Sequence, residues 1–110
     1  MPYVTFKNLE RDKVAQIASS TISKLVEASG APVDAFRIYE GGTLVGSGDG
    51  VDSVLVEVIM YPRPADQMQK MAAALYDVVN TVKATEVHVI FLNISGFEYH
   101  YRDGERYRTN

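Results

Sequence analysis

The spacing of hydrophobic residues divides the chain into alternating strands and helices. Between residues 12 and 29, apolar side chains recur every three or four positions, as they do on one face of a helix: Val14, Ile17, Ala18, Ile22, Leu25 and Val26. A second helical stretch begins at Pro64, and its predicted inner face is Met68, Met71, Ala72, Leu75, Val78, Val79 and Val82. Gly30 is predicted to end the first helix, because glycine readily adopts the left-handed conformation found at helix C-termini.

Four shorter segments show the pattern of β-strands, over residues 3–7, 35–39, 53–61 and 87–94. The third is almost continuously apolar, as expected for a strand that is covered on both faces. Five glycines between residues 41 and 50 predict a loop. Alternation around Asp103-Gly104, a strong turn signal, predicts a C-terminal β-hairpin over residues 97–108.

The order of these elements predicts an α/β (α+β) fold in a single domain, residues 1–110. Two β-α-β halves, about residues 1–40 and 53–94, follow one another at an offset of about 52 residues. Right-handed crossovers would place both helices on one face of a four-stranded sheet. The C-terminal hairpin would follow the second half.

The other face of this sheet has no predicted cover. Strand alternation assigns to it Tyr3, Thr5, Lys7, Arg37, Tyr39, Leu55, Glu57, Ile59, His88, Ile90 and Leu92. This surface is too apolar to face water over a whole sheet, so we expect it to form an interface between copies of the chain. For Glu57 we expect an ion pair with Lys7 or Arg37.

Composition and charge exclude several classes of function. The net charge of −3 argues against a general nucleic-acid binder, whose affinity depends on neutralising phosphates. The chain has no cysteine, which excludes disulfides and thiolate metal sites. His88 and His100 fall on different strands without neighbouring ligands, so no metal site is expected. With no apolar stretch of membrane-spanning length and no signal-peptide pattern, the expectation is a cytoplasmic protein that does not enter a membrane.

Pro2 directly follows the initiator methionine, and two interpretations are open. Proline is tolerated at the first residue of a strand, and this alone would account for it. If Met1 is removed, however, Pro2 presents a secondary amine at the chain terminus. Such an amine can act as a base or a nucleophile.

The two halves, Pro2 and the run GAPVDAFRIYE resemble the tautomerase superfamily, which includes 4-oxalocrotonate tautomerase and macrophage migration inhibitory factor. Within that run, an Ala31-Pro32 turn precedes Arg37 at the spacing found in the first of these groups. The overall length and the ending VIFLNISGFEYHYRDGERY look closest to an uncharacterised family of small bacterial proteins with this fold.

The resemblance implies a homotrimer with a pocket at the subunit boundary. In it, Pro2 would be the general base and Arg37 would hold a substrate carboxylate. Arg11 would assist in binding the substrate, although aligning it with the family's sequence requires a one-residue gap. The aromatic wall of the pocket would come from Tyr39, Phe97 or Tyr99.

The activity that the resemblance implies is proton transfer on a small carboxylate or 2-keto acid, without a cofactor. The alternative is a non-catalytic trimeric protein that keeps the fold and serves as a binding or scaffold module.

Overall fold

The computed structural model describes residues 2–107, apart from the side chain of Phe97. Its strands and helices are β1 (Tyr3–Lys7), α1 (Arg11–Ser29), β2 (Arg37–Glu40), β3 (Ser53–Met60), α2 (Ala65–Asn80), β4 (Glu86–Asn93), β5 (Tyr101–Arg102) and β6 (Glu105–Arg106). Short 3₁₀ turns span Val33–Ala35 and Phe97–Tyr99.

The four long strands form one mixed sheet in the order β2-β1-β3-β4. The pairs β1–β2 and β3–β4 are parallel, and each pair is connected through a helix. The two halves meet at the centre of the sheet, where β1 and β3 are antiparallel. The predicted fold of two β-α-β units is therefore confirmed.

The core lies between the sheet and the two helices. From β1 and β3 it takes alternate residues, which are buried: Val4, Phe6, Val54, Val56, Val58 and Met60. From the helices it takes Val14, Ile17, Leu25, Met71, Leu75, Val78 and Val79. The third strand is covered on one face only, since its other residues are half-buried. Burial of these side chains is the main force that holds the helices on the sheet.

Two predicted boundaries are corrected by the structure. The second strand was predicted from Ala35 but begins at Arg37, because the chain after Pro32 forms a 3₁₀ turn in which the Ala35 N–H donates to the Pro32 carbonyl. The predicted hairpin over 97–108 is shorter, since Phe97–Tyr99 is a 3₁₀ turn and strand pairing covers only Tyr101–Arg102 and Glu105–Arg106. Its turn is the expected Asp103-Gly104, in which both residues have positive φ. Residue 108 lies outside the described residues.

Gly30 ends α1 in the left-handed conformation, with φ of 73°, and its N–H donates to the Val26 carbonyl at 2.8 Å. A side chain here would strain the backbone because of the positive φ, even though there is space for it. Apart from Gly30 itself and its chain neighbours, no described atom lies within 4 Å of the position that a Cβ would take. We expect Gly30→Ala to lower the free energy of unfolding by about 1 kcal/mol, which corresponds to a fall in Tm of roughly 4–8 °C. Thermal unfolding followed by circular dichroism measures this shift.

Gly46→Ala is the matched control, because Gly46 lies in the exposed loop without a positive φ and without close neighbours. Equal Tm changes in the two variants would show that the conformation of Gly30 is not the cause.

The sheet face opposite the helices is largely open in a single chain. Ile90 and Leu92 are 49% and 43% exposed. Near them the Lys7 ammonium pairs with the Glu57 carboxylate at 2.7 Å, which confirms the predicted ion pair. Within the described residues, neither helix is long and apolar enough to cross a membrane.

Candidate functional site

A cavity of about 320 Å³ lies at the start of β1, where the C-terminal segment folds over one end of the open sheet face. The sheet side of its wall is formed by Tyr3, Arg37 and Tyr39, together with Asp34 and Ala35 from the preceding turn. The opposite side is formed by His100, Tyr101, Arg102 and Tyr107. The cavity therefore combines two arginines, four tyrosines and a histidine.

His100 lies at the buried side of this cavity, with 7% of its surface exposed. Its Nε2 is 3.1 Å from the Tyr3 hydroxyl, and its Nδ1 is 3.1 Å from the Tyr61 hydroxyl. The sheet explains this arrangement. Tyr3 pairs with Ile59 on the neighbouring antiparallel strand, and Tyr61 follows two residues later, so that both phenols project from the same face.

Aromatic packing fixes the His100 ring further. Tyr107 stacks on it at a centroid distance of 4.2 Å and an angle of 20°. The Tyr3 ring meets it edge-on, at 5.7 Å and 83°. The Tyr107 N–H also donates to the His100 carbonyl at 2.8 Å and closes the base of the hairpin. The imidazole is therefore held in one orientation by contacts from three directions.

Burial controls the protonation of this cluster. Desolvation lowers the pKa of His100, so that the imidazole is neutral at pH 7 and carries a single N–H. Desolvation also raises the pKa of Tyr61, with smaller contributions from Tyr107 and Tyr3, so its hydroxyl keeps its proton. A neutral imidazole offers one donor and one acceptor. Of the two phenols, one therefore donates to His100 and the other accepts from it.

Pro2 is buried at the beginning of β1. Its carbonyl accepts a hydrogen bond from the Arg37 N–H at 3.3 Å, which joins the start of the first strand to the second. Pro2 is not among the described residues that line the cavity, but it directly precedes Tyr3, which is. Its nitrogen is bonded to residue 1, so removal of that residue would leave the nitrogen at the chain end.

Arg37 is exposed, and its Nη1 donates to the main-chain carbonyls of Asp34 and Phe36, each at 3.0 Å. These bonds hold the guanidinium at the cavity while it remains accessible to an anion. Arg102 lines the same cavity from the hairpin. Two permanently charged groups thus face a shared space, in which Asp34 is the only acidic residue of the described lining.

The other predicted site residues do not all lie at this cavity. Arg11 lines a second cavity of about 340 Å³ between α1 and the edge strand β2, whereas Arg37 lines the first. Tyr39, on that edge strand, borders both cavities. Tyr99 is exposed and is absent from the described lining of both. The side chain of Phe97 lies outside the described residues.

The sequence interpretation missed the group around His100. It considered His100 only as a metal ligand, and it did not include Arg102 or Tyr107 among the site residues. The one available signal was the dense run EYHYR, which places a histidine between tyrosines. In the part of the chain that is described, no group of three His, Asp or Glu residues could hold a metal ion.

Comparison with solved structures shows close similarity of the fold. A domain from Sebaldella termitidis, described as a domain of unknown function (DUF1904), is 22% identical with a TM-score of 0.83; the match covers 97% of this chain and 100% of that one. A macrophage migration inhibitory factor-like protein from Entamoeba histolytica is 13% identical with a TM-score of 0.79, covering 96% and 98%.

Two further solved structures are also similar. Malonate semialdehyde decarboxylase is 17% identical with a TM-score of 0.71, and the match covers 94% of this chain and 93% of that one. A fused 4-OT described as an asymmetric trimer is 18% identical with a TM-score of 0.71, covering 84% and 85%. Identities at this level show a shared fold only.

No curated protein of known function matches the chain in sequence. The family match is with the model described as "Domain of unknown function (DUF1904)", and it covers residues 1–106. The chain therefore belongs to the DUF1904 family, and it has the fold of the tautomerase superfamily.

Proposed function

We propose that this protein transfers protons on a small carboxylate or 2-keto acid, without a cofactor, and that the amine of Pro2 is the base after Met1 has been removed. The observation that carries this proposal is the cavity at the start of β1. Arg37 and Arg102 both line it. Tyr3, which also lines it, directly follows Pro2 on the first strand. A secondary amine and a binding site for an anion thus belong to the same end of the sheet.

The chemistry of the amine fits this role. A free α-amino group has a pKa of about 7.7–8.0 in water. Burial and nearby positive charge both disfavour its charged form and lower that pKa. Pro2 is buried, and Arg37 and Arg102 supply positive charge at the neighbouring cavity. Each unit of decrease corresponds to about 1.4 kcal/mol, and one unit suffices to make the amine a base at neutral pH.

The arginines fit a carboxylate substrate. A guanidinium stays charged in a dry site, and its planar fork can donate two parallel hydrogen bonds to a carboxylate. Tyr39, on the edge strand beside Arg37, is the proposed aromatic wall, since it borders the cavity. Tyr99 has no comparable support, and Arg11 would have to act from a neighbouring subunit.

We further propose that the working form is a cytoplasmic homotrimer. The open sheet face carries exposed Ile90 and Leu92, and this apolar surface would be covered in an assembly. The fused 4-OT with a similar fold is described as a trimer.

The direct test combines intact mass spectrometry of the natively expressed protein with an assay of phenylpyruvate and 2-hydroxydienoate tautomerisation. The proposal predicts a mass lower by one methionine residue, together with turnover of at least one substrate. A retained methionine, or no turnover by processed protein, would contradict the enzymatic proposal and favour a binding or scaffold protein.

Arg37→Ala is expected to weaken the binding of a small 2-keto acid by roughly 10- to 100-fold, because a charged hydrogen bond contributes about 1.5–3 kcal/mol. The fold should survive, since Arg37 is exposed and its side-chain hydrogen bonds to the described residues go to the nearby carbonyls of Asp34 and Phe36. Titration calorimetry with pyruvate measures the change. Arg106→Ala, an exposed change on β6 outside the described cavity lining, is the matched control. Equal affinities in the two variants would refute the role of Arg37.

A further inference from the structure

We propose that Tyr3 donates a hydrogen bond to the reacting oxygen of the substrate, and that a chain of hydrogen bonds from Tyr61 through His100 aims the Tyr3 proton into the cavity. This inference rests on the proposed proton transfer and assigns the group that stabilises its intermediate. Tyr3 is then a catalytic residue, while His100 is a positioning residue that acts through Tyr3.

The geometry supplies the chain. The Tyr61 hydroxyl, the two nitrogens of His100 and the Tyr3 hydroxyl follow one another with spacings of 3.1 Å on each side of the ring. Tyr3 and His100 line the cavity, whereas Tyr61 is not among the described lining residues. The chain therefore runs from the half-buried Tyr61, outside the described lining, to the edge of the space that would hold the substrate.

The direction of the hydrogen bonds follows from the requirement of the reaction. If the Tyr61 hydroxyl donates to Nδ1, the imidazole proton lies on Nε2 and is donated to the Tyr3 oxygen. The Tyr3 proton is then available for an acceptor in the cavity. The opposite tautomer would direct the Tyr3 proton to Nε2 and leave no donor for the substrate.

Burial makes this assignment possible. The neutral state of His100 leaves one ring nitrogen able to accept, which is Nδ1 in this tautomer, and the raised pKa of Tyr61 preserves its hydroxyl as a donor. The stacked Tyr107 ring fixes the plane of the imidazole. A hydroxyl held in this way requires no reorganisation when charge develops on the substrate, which is the condition for strong electrostatic stabilisation.

The reaction step balances without any other reagent. The Pro2 amine takes a proton from the carbon next to the carbonyl group. The electron pair of the broken C–H bond forms the new C=C bond, and the carbonyl π pair moves onto oxygen, which accepts the hydrogen bond from Tyr3. The proton on Pro2 then returns to the enolate, on oxygen or on a conjugated carbon, and regenerates the amine.

Tyr3→Phe removes this donor and keeps the ring that packs against His100. We expect kcat to fall by about 10²–10³-fold, as for the loss of one preorganised donor, with a small change in KM. Tyr76→Phe is the matched control, because Tyr76 is exposed on α2 and the one contact described for it uses its main-chain carbonyl. A Tyr3→Phe variant as active as the parent would overturn the inference.

His100 is tested by two variants of different hydrogen-bonding ability. His100→Gln retains an N–H donor and an oxygen acceptor, whereas His100→Phe retains only a ring that stacks on Tyr107. If His100 acts by positioning the Tyr3 proton, Gln restores part of kcat and Phe does not. A purely structural role would give equal kcat values in the two variants once folding is verified by circular dichroism.

Two measurements do not depend on turnover. ¹⁵N NMR of the His100 ring reports its tautomer, and the inference requires the proton on Nε2. Oxalate, a planar mimic of the enolate of a 2-keto acid, should bind about tenfold more weakly to Tyr3→Phe than to Tyr76→Phe, because a hydrogen bond to a charged group is lost; tenfold corresponds to about 1.4 kcal/mol.

The outcomes separate the two proposals. A proton on Nδ1, or equal oxalate affinities, would overturn the role of Tyr3 even in an active enzyme. If the predicted tautomer and the predicted oxalate difference are found in a protein that turns over neither substrate, the inference stands as an anion-binding arrangement and only the proposed reaction is refuted.

Discussion

Pro2→Ala is expected to lower kcat for phenylpyruvate by about 10²–10⁴-fold, the usual contribution of a positioned general base. The variant keeps an α-amino group after Met1 is removed, but loses the secondary, ring-constrained amine. Steady-state assays across pH measure the effect. In the parent protein, activity should rise with pH as the amine loses its proton, with a midpoint below the value of about 7.7–8.0 for a free amine.

Pro64→Ala is the matched control, because Pro64 is exposed at the start of α2. Its main-chain carbonyl accepts hydrogen bonds from the first turn of the helix, and alanine keeps this carbonyl. Its activity should equal that of the parent. If the Pro2→Ala variant were as active as the parent, Pro2 would not be the base, and its position would be explained by its place at the start of a strand.

Ile90→Asp is expected to dissociate the assembly. Ile90 lies midway along the edge strand β4, opposite Glu57 on the neighbouring strand, and is 49% exposed in a single chain. Burying an unpaired carboxylate at a subunit interface costs several kcal/mol, and the nearby Glu57 would add repulsion of like charge. At micromolar concentration, light scattering should report a trimer for the parent and a monomer for the variant.

Tyr76→Asp provides the control on the opposite side of the molecule. Tyr76 is 51% exposed on α2, so the change also places a carboxylate at a half-exposed hydrophobic position. This variant should remain trimeric. A monomeric parent, or a trimeric Ile90→Asp variant, would show that this face is not the interface.

Most of the fold could be predicted because its signals are local. The helical periodicity and Gly30 gave the extent of α1, and the Asp103-Gly104 dipeptide gave the final turn. The errors also have local causes. Pro32 initiates a 3₁₀ turn that delays β2 to Arg37, and a second 3₁₀ turn over Phe97–Tyr99 shortens the hairpin. Alternation alone does not distinguish such turns from extended chain.

The candidate site could be predicted only in part, because its geometry is not local. Tyr3 and His100 are 97 positions apart, and Tyr61 and His100 are 39 apart. No periodicity connects them; their meeting depends on how the C-terminal segment folds onto the sheet. Arg37 was predicted through the resemblance to the tautomerase superfamily, which rests on the spacing of Arg37 from the Ala31-Pro32 turn, a local feature. The pairing of Glu57 with Lys7 was found because strand alternation places both side chains on one face.

The proposed reaction requires that Pro2 is a free amine and acts as a base. ¹⁵N NMR of protein labelled at proline, followed over a pH titration, observes this amine directly. We expect a Pro2 signal characteristic of an amine, with a midpoint below the value of about 7.7–8.0 for a free α-amino group. An amide signal that does not titrate, or an amine that titrates at or above that value, would contradict it.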